Sequence, residues 1–184
     1  MNNNIGKLVF TLTIIGVISA LALTFVYEWT TPYIEKHAAK AREEAVFTVI
    51  PEAESYKEVK KNGTTFYEGY KSGQRVGVAL IAEGAGFQGI IELMVGSDPV
   101  NGEINGIKIL SHEETPGLGA NISTEDYKSN FHNKPFGEYE VIKRETNDPY
   151  QVEAIAGATI SSEKVTQIVE KAVDKIQAEY GGGN

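Results

Sequence analysis

A run of 20 residues without a charge, Leu8 to Tyr27, is the feature that most restricts how this chain can fold. A helix of this length extends about 30 Å, the thickness of the hydrocarbon core of a bilayer. Lys7 precedes the run and Trp29 follows it as an aromatic interface residue. We predict a retained transmembrane helix. The alternatives are a signal peptide cleaved near Ser19–Ala22, although apolar residues continue to Val26, and a buried core helix, although no polar face exists.

A second helix is predicted directly after this run. Thr30-Thr31-Pro32 has the form of an N-cap followed by proline at the first helical position. Apolar residues keep helical spacing up to Val49, and Pro51 ends the pattern. The predicted organisation is an N-terminal tail and transmembrane anchor over 1–30, a stalk helix over 31–55 and one domain over 56–184.

The rest of the chain alternates between strand and turn patterns and then ends in a helix. This helix, Ser162 to about Tyr180, has one apolar stripe that should lie on a sheet. The predicted fold class is therefore α+β, with a single N-terminal transmembrane helix, a stalk helix and one antiparallel-sheet domain with packed helices. The segments are strands at Thr64–Tyr70, Arg75–Glu83, Gln88–Val95, Glu103–Ser111, Tyr139–Arg144 and Tyr150–Ile155, a short helix within Asn121–Phe131, and a stripe of Val165, Ile168, Val169, Ala172, Val173 and Ile176.

Charge and composition exclude several classes of function. The chain has 25 acidic and 17 basic residues and a net charge of −8, whereas nucleic-acid binding needs clustered Lys and Arg to replace counterions. It contains no cysteine, which removes thiol catalysis, iron–sulfur ligation by this chain and disulfides. His37, His112 and His132 lack the spacing of metal ligands. We predict neither a nucleic-acid partner nor a metal site.

One glycine motif matches a nucleotide-binding pattern but lacks its context. Gly84-Ala85-Gly86-Phe87-Gln88-Gly89 fits G-x-G-x-x-G literally. The dinucleotide fingerprint requires a helix after the glycines, within a βαβ unit. The residues that follow, Ile90 to Val95, have the pattern of a strand. We interpret the motif as a connection between two strands and reject a Rossmann nucleotide site.

The stretch from Ser111 to Gly119, SHEETPGLG, follows a predicted strand. Its simplest interpretation is a turn in which Pro116-Gly117 makes the bend. A histidine with two glutamates allows acid–base chemistry in principle, but no partner nucleophile accompanies them, so the turn ranks first. Thr115 and the glycines would also let the backbone approach a flat ligand closely.

The stretch from Glu153 to Ser162, EAIAGATISS, leads into the predicted last helix. In the plain interpretation it is a strand-to-helix turn, relieved by Gly157 and capped by Ser161 or Ser162. A second interpretation uses the excess of hydroxyls. The backbone N–H groups and dipole of a helix start favour an anion, most naturally a phosphate. On the residues alone, the turn interpretation is slightly favoured.

Together, the two stretches resemble the membrane-anchored FMN-binding subunits of ion-pumping electron-transfer complexes. The closest likeness is to the G subunit of the Rnf complex (ferredoxin:NAD oxidoreductase), and the C subunit of the sodium-translocating NADH:quinone oxidoreductase is more distant. The resemblance rests on HEETPGLG at 112–119 and GATISS at 157–162, and it covers nearly the whole chain. In this family a flavin transferase links the phosphate of FMN to the threonine of a Ser/Thr-Gly-Ala-Thr motif.

The resemblance implies roles for particular residues. Covalent FMN would be attached at Thr159, and no residue would act as a catalyst. Ala156 stands where the family has Ser or Thr, which leaves the acceptor hydroxyl intact but removes a second one. Gly157, Ala158, Ser161 and Ser162 would steady the phosphate, and Glu114, Thr115, Leu118 and Gly119 would border the flavin ring.

The resemblance also implies partners and a location. The chain would be a single-pass electron-carrier subunit of an ion-translocating oxidoreductase in the cytoplasmic membrane, matured by a flavin transferase and contacting other membrane subunits and lipid. The family places its FMN domain outside the cytoplasm, whereas Lys36, Lys40 and Arg42 after the span favour the cytoplasm. We follow the family. Two alternatives stay open: a free-standing extracytoplasmic FMN carrier, and a membrane-tethered binding or scaffold protein without a cofactor.

Overall fold

The computed structural model describes residues 2–181. The described residues up to Ala41 form one compact unit and those from Arg42 onward form a second. The second unit therefore includes the end of the predicted stalk, residues 42–55. Each unit is described separately below.

Helix α1 extends from Asn2 to Val49 without interruption. The predicted helix start at Thr30-Thr31-Pro32 is wrong. The hydroxyls of Thr30 and Thr31 donate to the carbonyls of Val26 and Tyr27 at 2.8 and 2.7 Å, so they bond back along the helix instead of capping a new one. Pro32 removes only the one N–H that would bond the carbonyl of Glu28, and the helix continues through it.

The first unit contains the uncharged run. By length and composition, α1 can cross a membrane, and it is the one such helix in the described chain. The large apolar side chains between Leu8 and Tyr27 are exposed, as expected for a surface made to face lipid. The predicted end before Pro51 is confirmed, since the helix stops at Val49.

The second unit is built on an antiparallel sheet of six strands in the order β1-β2-β3-β4-β5-β6. Each strand pairs with the next one in the chain, which confirms the four predicted strands between Thr64 and Ser111. The structure adds β1 and β6, which the sequence pattern did not predict. The strands are β1 Ser55–Lys61, β2 Thr64–Lys71, β3 Gln74–Ala85, β4 Ile90–Asp98, β5 Glu103–His112 and β6 Lys134–Pro135.

The two predicted strands after Tyr139 are shorter than expected and form a separate sheet. They are β7, Glu140–Ile142, and β8, Gln151–Glu153, and they pair in parallel. The predicted helix within Asn121–Phe131 is present as a 3₁₀ helix, Gly119–Ser123, followed by α2, Glu125–Ser129. Thr124 caps α2, because its hydroxyl accepts from the N–H of Tyr127.

Both faces of the six-stranded sheet are covered, so its strands alternate between two apolar clusters. Leu93 of β4 belongs to the cluster beneath the C-terminal helix, α3, and its neighbour Met94 belongs to the cluster beneath the end of α1. The second cluster includes Ala45, Val46, Val49 and Ile50, none of which is exposed.

Helix α3 spans Thr159–Tyr180. The six predicted stripe residues are all buried in the larger cluster, so the predicted packing of this helix on the sheet is confirmed. Its predicted start is wrong: the helix begins at Thr159, and Ala158 occupies the N-cap position without a side-chain cap. Ser161 and Ser162 therefore lie inside the first turn, where their hydroxyls make other contacts.

Candidate functional site

Three segments meet around a cavity of about 350 Å³. They are the turn between β3 and β4, the loop that follows β5, and the loop that leads into α3. The sheet supplies the first two, and the packing of α3 across β3 and β4 brings the third to them. The lining residues are Phe87, Glu114, Thr115, Leu118, Gly119, Gly157, Ala158, Thr159, Ile160 and Ser161.

Two of these segments contain the same kind of turn. In Thr115-Pro116-Gly117-Leu118 the N–H of Leu118 donates to the carbonyl of Thr115 at 3.2 Å. In Ile155-Ala156-Gly157-Ala158 the N–H of Ala158 donates to the carbonyl of Ile155 at 2.9 Å. The third residue of each is a glycine with φ of +77°, as a type II turn requires. The predicted bend at Pro116-Gly117 and the predicted relief by Gly157 are thus both present.

The carboxylate of Glu114 joins all three segments. Its Oε1 accepts from the backbone N–H of Phe87 at 2.6 Å, with a longer bond from Gln88. Its Oε2 accepts from the hydroxyl of Ser161 at 2.7 Å. The side chain is only 5% exposed. Both oxygens of Glu114 are therefore engaged within the protein, and this residue braces the cavity wall.

Two glycines make room for this carboxylate. A Cβ added at Gly86 would overlap Oε1 of Glu114, and one added at Gly119 would overlap Oε2 and approach the hydroxyl of Ser161. Gly86 belongs to the G-x-G-x-x-G match, whose interpretation as a strand connection is confirmed: its N–H donates to the carbonyl of Gly89 at 2.7 Å across the turn. The glycine motif therefore forms a turn that leaves room for the side chain of Glu114.

Ser162 holds the loop before α3 from inside. Its hydroxyl accepts from the N–H of Ile155 at 3.0 Å and donates to the carbonyl of Ala158 at 3.1 Å. The hydroxyl of Tyr127 donates to the carbonyl of Ser162, and burial raises the pKa of Tyr127 well above its usual range. Ser162 is fully buried and does not line the cavity, so it supports the site without facing it.

Thr159 lies where the loop becomes a helix. Its side chain is half-buried and lines the cavity. Within residues 2–181 no protein group forms a hydrogen bond with its hydroxyl, in contrast to the hydroxyls of Ser161 and Ser162. The first backbone N–H groups of α3 have no intrahelical acceptor, as at any helix start. An accessible hydroxyl and a set of free donors therefore occupy the same place.

Eight of the nine predicted site residues lie on this one cavity, and Ser162 is the exception. Phe87 and Ile160 were not predicted, although both line the cavity and are 61% and 47% exposed. Their sequence signals are a large aromatic residue at the tip of a glycine-rich turn and an apolar residue away from the buried stripe of α3. Together with Leu118, they form an apolar rim.

The part of the chain that lines the cavity matches a known protein family. The model of the FMN-binding domain family matches residues 86–174, from the β3–β4 turn into α3. The G subunit of the ion-translocating oxidoreductase complex of Methanosarcina acetivorans is 31% identical, with 98% of each chain covered. The G subunit of the proton-translocating ferredoxin:NAD(+) oxidoreductase complex of Clostridium ljungdahlii is 32% identical, with 98% of this chain and 96% of that chain covered.

Two solved structures share the fold at lower identity. NqrC of Shewanella oneidensis has a TM-score of 0.55 and 20% identity, covering 68% of this chain and 70% of that chain. The C subunit of the Na(+)-translocating NADH-quinone reductase of Parabacteroides distasonis has a TM-score of 0.56 and 23% identity, covering 66% of this chain and 64% of that chain. At this identity the likeness is one of architecture.

Proposed function

Because this chain belongs to the G-subunit family of ion-translocating oxidoreductase complexes, we propose that it carries electrons as a membrane-anchored subunit with FMN attached covalently through Thr159. The family consists of subunits of oxidoreductase translocases, and the match to the FMN-binding domain supports an electron-carrier role. The observation that carries the proposal is the hydroxyl of Thr159, which is unpaired within the described chain, at the edge of the cavity and at the first turn of α3.

The residues around the cavity suit FMN. The volume of the cavity falls in the range of small-molecule sites, roughly 300–1,000 Å³. The free N–H groups at the start of α3 suit a phosphate, whose negative charge the helix dipole stabilises. The apolar rim of Phe87, Leu118 and Ile160 suits a flat aromatic ring. When bound, FMN supplies one- and two-electron transfer, and the protein supplies position and electrostatics.

The attachment forms one bond and breaks another. The hydroxyl oxygen of Thr159 bonds to the phosphorus of the flavin nucleotide and loses its proton. The phosphorus must lose a leaving group at the same time, so the donor is an activated flavin dinucleotide whose pyrophosphate bond breaks and releases a nucleoside monophosphate. A flavin transferase would catalyse this step. Ala156 lies in the exposed turn before Thr159 and lines no part of the cavity, so its missing hydroxyl leaves the acceptor untouched.

The long helix and the relatives support the proposed setting. The uncharged run of α1 would cross the cytoplasmic membrane once and contact lipid and the other membrane subunits of the complex. The FMN domain would lie on the extracytoplasmic side. A covalent bond suits that side, because a dissociated flavin would be lost from the cell.

The proposal is tested by the mass of the protein. We expect the wild-type chain, produced together with a flavin transferase, to carry an FMN-sized adduct that is located on the peptide containing Thr159. Thr159→Val should lose the adduct. Thr115→Val is the matched control, because Thr115 lines the same cavity, and it should keep the adduct. An unmodified Thr159 in the wild type would overturn the proposal and favour a cofactor-free scaffold. An adduct that persists in Thr159→Val would overturn Thr159 as the attachment residue.

A further inference from the structure

We propose that Glu114 sets the reduction potential of the flavin, holding it low by placing an uncompensated negative charge in the wall of the cavity. This inference rests on the proposed function above. It assigns Glu114 a role that differs from direct binding, since both of its oxygens are already used by protein donors.

The first observation is that neutral donors alone hold this carboxylate. Backbone N–H groups and the hydroxyl of Ser161 stabilise its charge without cancelling it. Within residues 2–181 the carboxylate of Glu114 has no salt-bridge partner. His112, the nearest basic residue along the chain, accepts through Nδ1 from the backbone N–H of Glu114 and thus offers that nitrogen to the backbone. One full negative charge therefore remains.

The second observation is the burial of this charge beside the cavity. Glu114 is 5% exposed and lines the cavity, together with the apolar rim. Water and salt screen a charge poorly when it lies out of solvent and close to the group that feels it. The field of Glu114 should therefore reach any group bound in the cavity with little attenuation.

The consequence follows from the charge balance of reduction. A bound flavin that took up two electrons and one proton would gain one net negative charge on its ring. A fixed negative charge nearby raises the free energy of the reduced form relative to the oxidised form, so the potential falls. Replacing Glu114 with the neutral, nearly isosteric glutamine should remove this effect and raise the potential.

The neighbouring residue is a matched control. Glu113 has the same side chain on the same loop, and it packs over Gly89 of the β3–β4 turn. It is exposed and does not line the cavity. Solvent screens its charge, and Glu113→Gln should leave the potential nearly unchanged.

The experiment is a potentiometric titration of the flavin-loaded, full-length protein with dithionite, followed by visible absorbance. We expect Glu114→Gln to raise the ratio of reduced to oxidised flavin at a fixed potential about tenfold, which is about 30 mV for a two-electron couple. Glu113→Gln should change this ratio less than about twofold. Equal shifts in the two variants, or no shift in Glu114→Gln, would overturn the inference.

A second variant keeps the test decisive if Glu114→Gln does not fold, as judged by its circular dichroism. Ser161→Ala removes the donor to Oε2 but leaves the carboxylate in place. The hydroxyl dipole of Ser161 points its positive end at Oε2 and partly offsets the carboxylate charge, so its loss should shift the potential in the opposite direction, downward. An unchanged or raised potential in Ser161→Ala contradicts the inference. A wild-type chain that carries no flavin at all contradicts the proposed function instead, so the two failures are distinguishable.

Discussion

Glu68 is a second buried carboxylate of the domain, and its hydrogen bonds come from two tyrosine hydroxyls. Tyr70 donates to its Oε2 at 2.5 Å and Tyr180 donates to its Oε1 at 2.9 Å. The ammonium of Lys61 lies 3.6 Å from the centre of the Tyr180 ring, and the guanidinium of Arg75 lies 4.9 Å from it. This cluster ties the last turn of α3 to strand β2.

The pKa of Glu68 decides how the cluster responds to acid. Burial raises this pKa, but the two tyrosine hydroxyls and the charges of Arg75 and Lys61 together outweigh burial, so the pKa of Glu68 lies below its usual value. A carboxyl whose pKa is lower in the folded state stabilises the fold above its unfolded pKa. That stabilisation is lost as the pH falls through the folded value.

We therefore predict that Glu68→Gln lowers the free energy of unfolding at pH 7 by about 1–2 kcal/mol, because neutral hydrogen bonds are weaker than charge-assisted ones. The difference from wild type should keep its full size above about pH 5 and shrink as the pH falls below about 4. Thermal unfolding followed by circular dichroism at several pH values measures it. Glu58→Gln, an exposed change on β1, is the control, and a difference from wild type that is independent of pH would contradict the prediction.

For single residues, the sequence predicted which ones form turns better than it predicted which ones contact each other. The glycines at 117 and 157 and the proline at 116 are turn residues whose backbone geometry follows from their own chemistry. The contact of Glu114 with Phe87 and Ser161 joins positions 27 and 47 residues apart in the chain. No local pattern encodes such a contact, and Phe87 was missed for that reason.

Among the elements, those with a strong apolar period were predicted and those without one were not. The stripe of α3 and the nearly continuous apolar run of β4 both follow from burial. Strand β1, SYKEVKK, is rich in charge and is defined by its pairing with β2, and β6 has only two residues. Helix boundaries failed where a hydroxyl had two possible partners: Thr30 resembles an N-cap but bonds back to Val26.

The end of α1, with Ile50 directly after it, supplies one face of the core of the second unit. Ala45, Val46, Val49 and Ile50 are fully buried against the face of the sheet opposite α3. Burying each of the three larger side chains contributes about 1.5–3 kcal/mol. Their sum is comparable to the total stability of a typical domain, about 5–15 kcal/mol.

We predict that residues 42–184 fold alone and that residues 56–184, the domain expected from sequence, do not. The longer chain should melt cooperatively in calorimetry, and the shorter one should show no transition or should aggregate. A pair of variants of the full chain gives the control: Val46→Asp places a charge in the core and should abolish the transition, whereas Thr48→Asp on the exposed side of the same helix should not. Equal melting of the two chains would show that the helix end is dispensable.

For the whole molecule, protease accessibility measures directly on which side of the membrane the domain lies. Lys36, Lys40 and Arg42 favour a cytoplasmic domain, whereas the proposed function places it outside. We predict that a protease added to intact cells, with the outer membrane opened where there is one, digests the FMN domain and leaves a cytoplasmic marker protein intact. If digestion requires disruption of the cytoplasmic membrane, the domain lies in the cytoplasm, as the lysine and arginine count indicates.

The hydrogen bonds of Glu114 to Phe87 and Ser161 affect which part of the second unit opens to solvent first. The sheet is a meander of strands that pair with their chain neighbours, so most of its contacts close short loops. The cavity wall is held by a few hydrogen bonds that each close a longer loop. Amide hydrogens of the β3–β4 turn should therefore exchange with solvent through local opening events while those of the central strands stay protected. The cavity wall should thus open locally while the sheet stays folded, and under the proposed function such openings would give a flavin transferase access to the hydroxyl of Thr159.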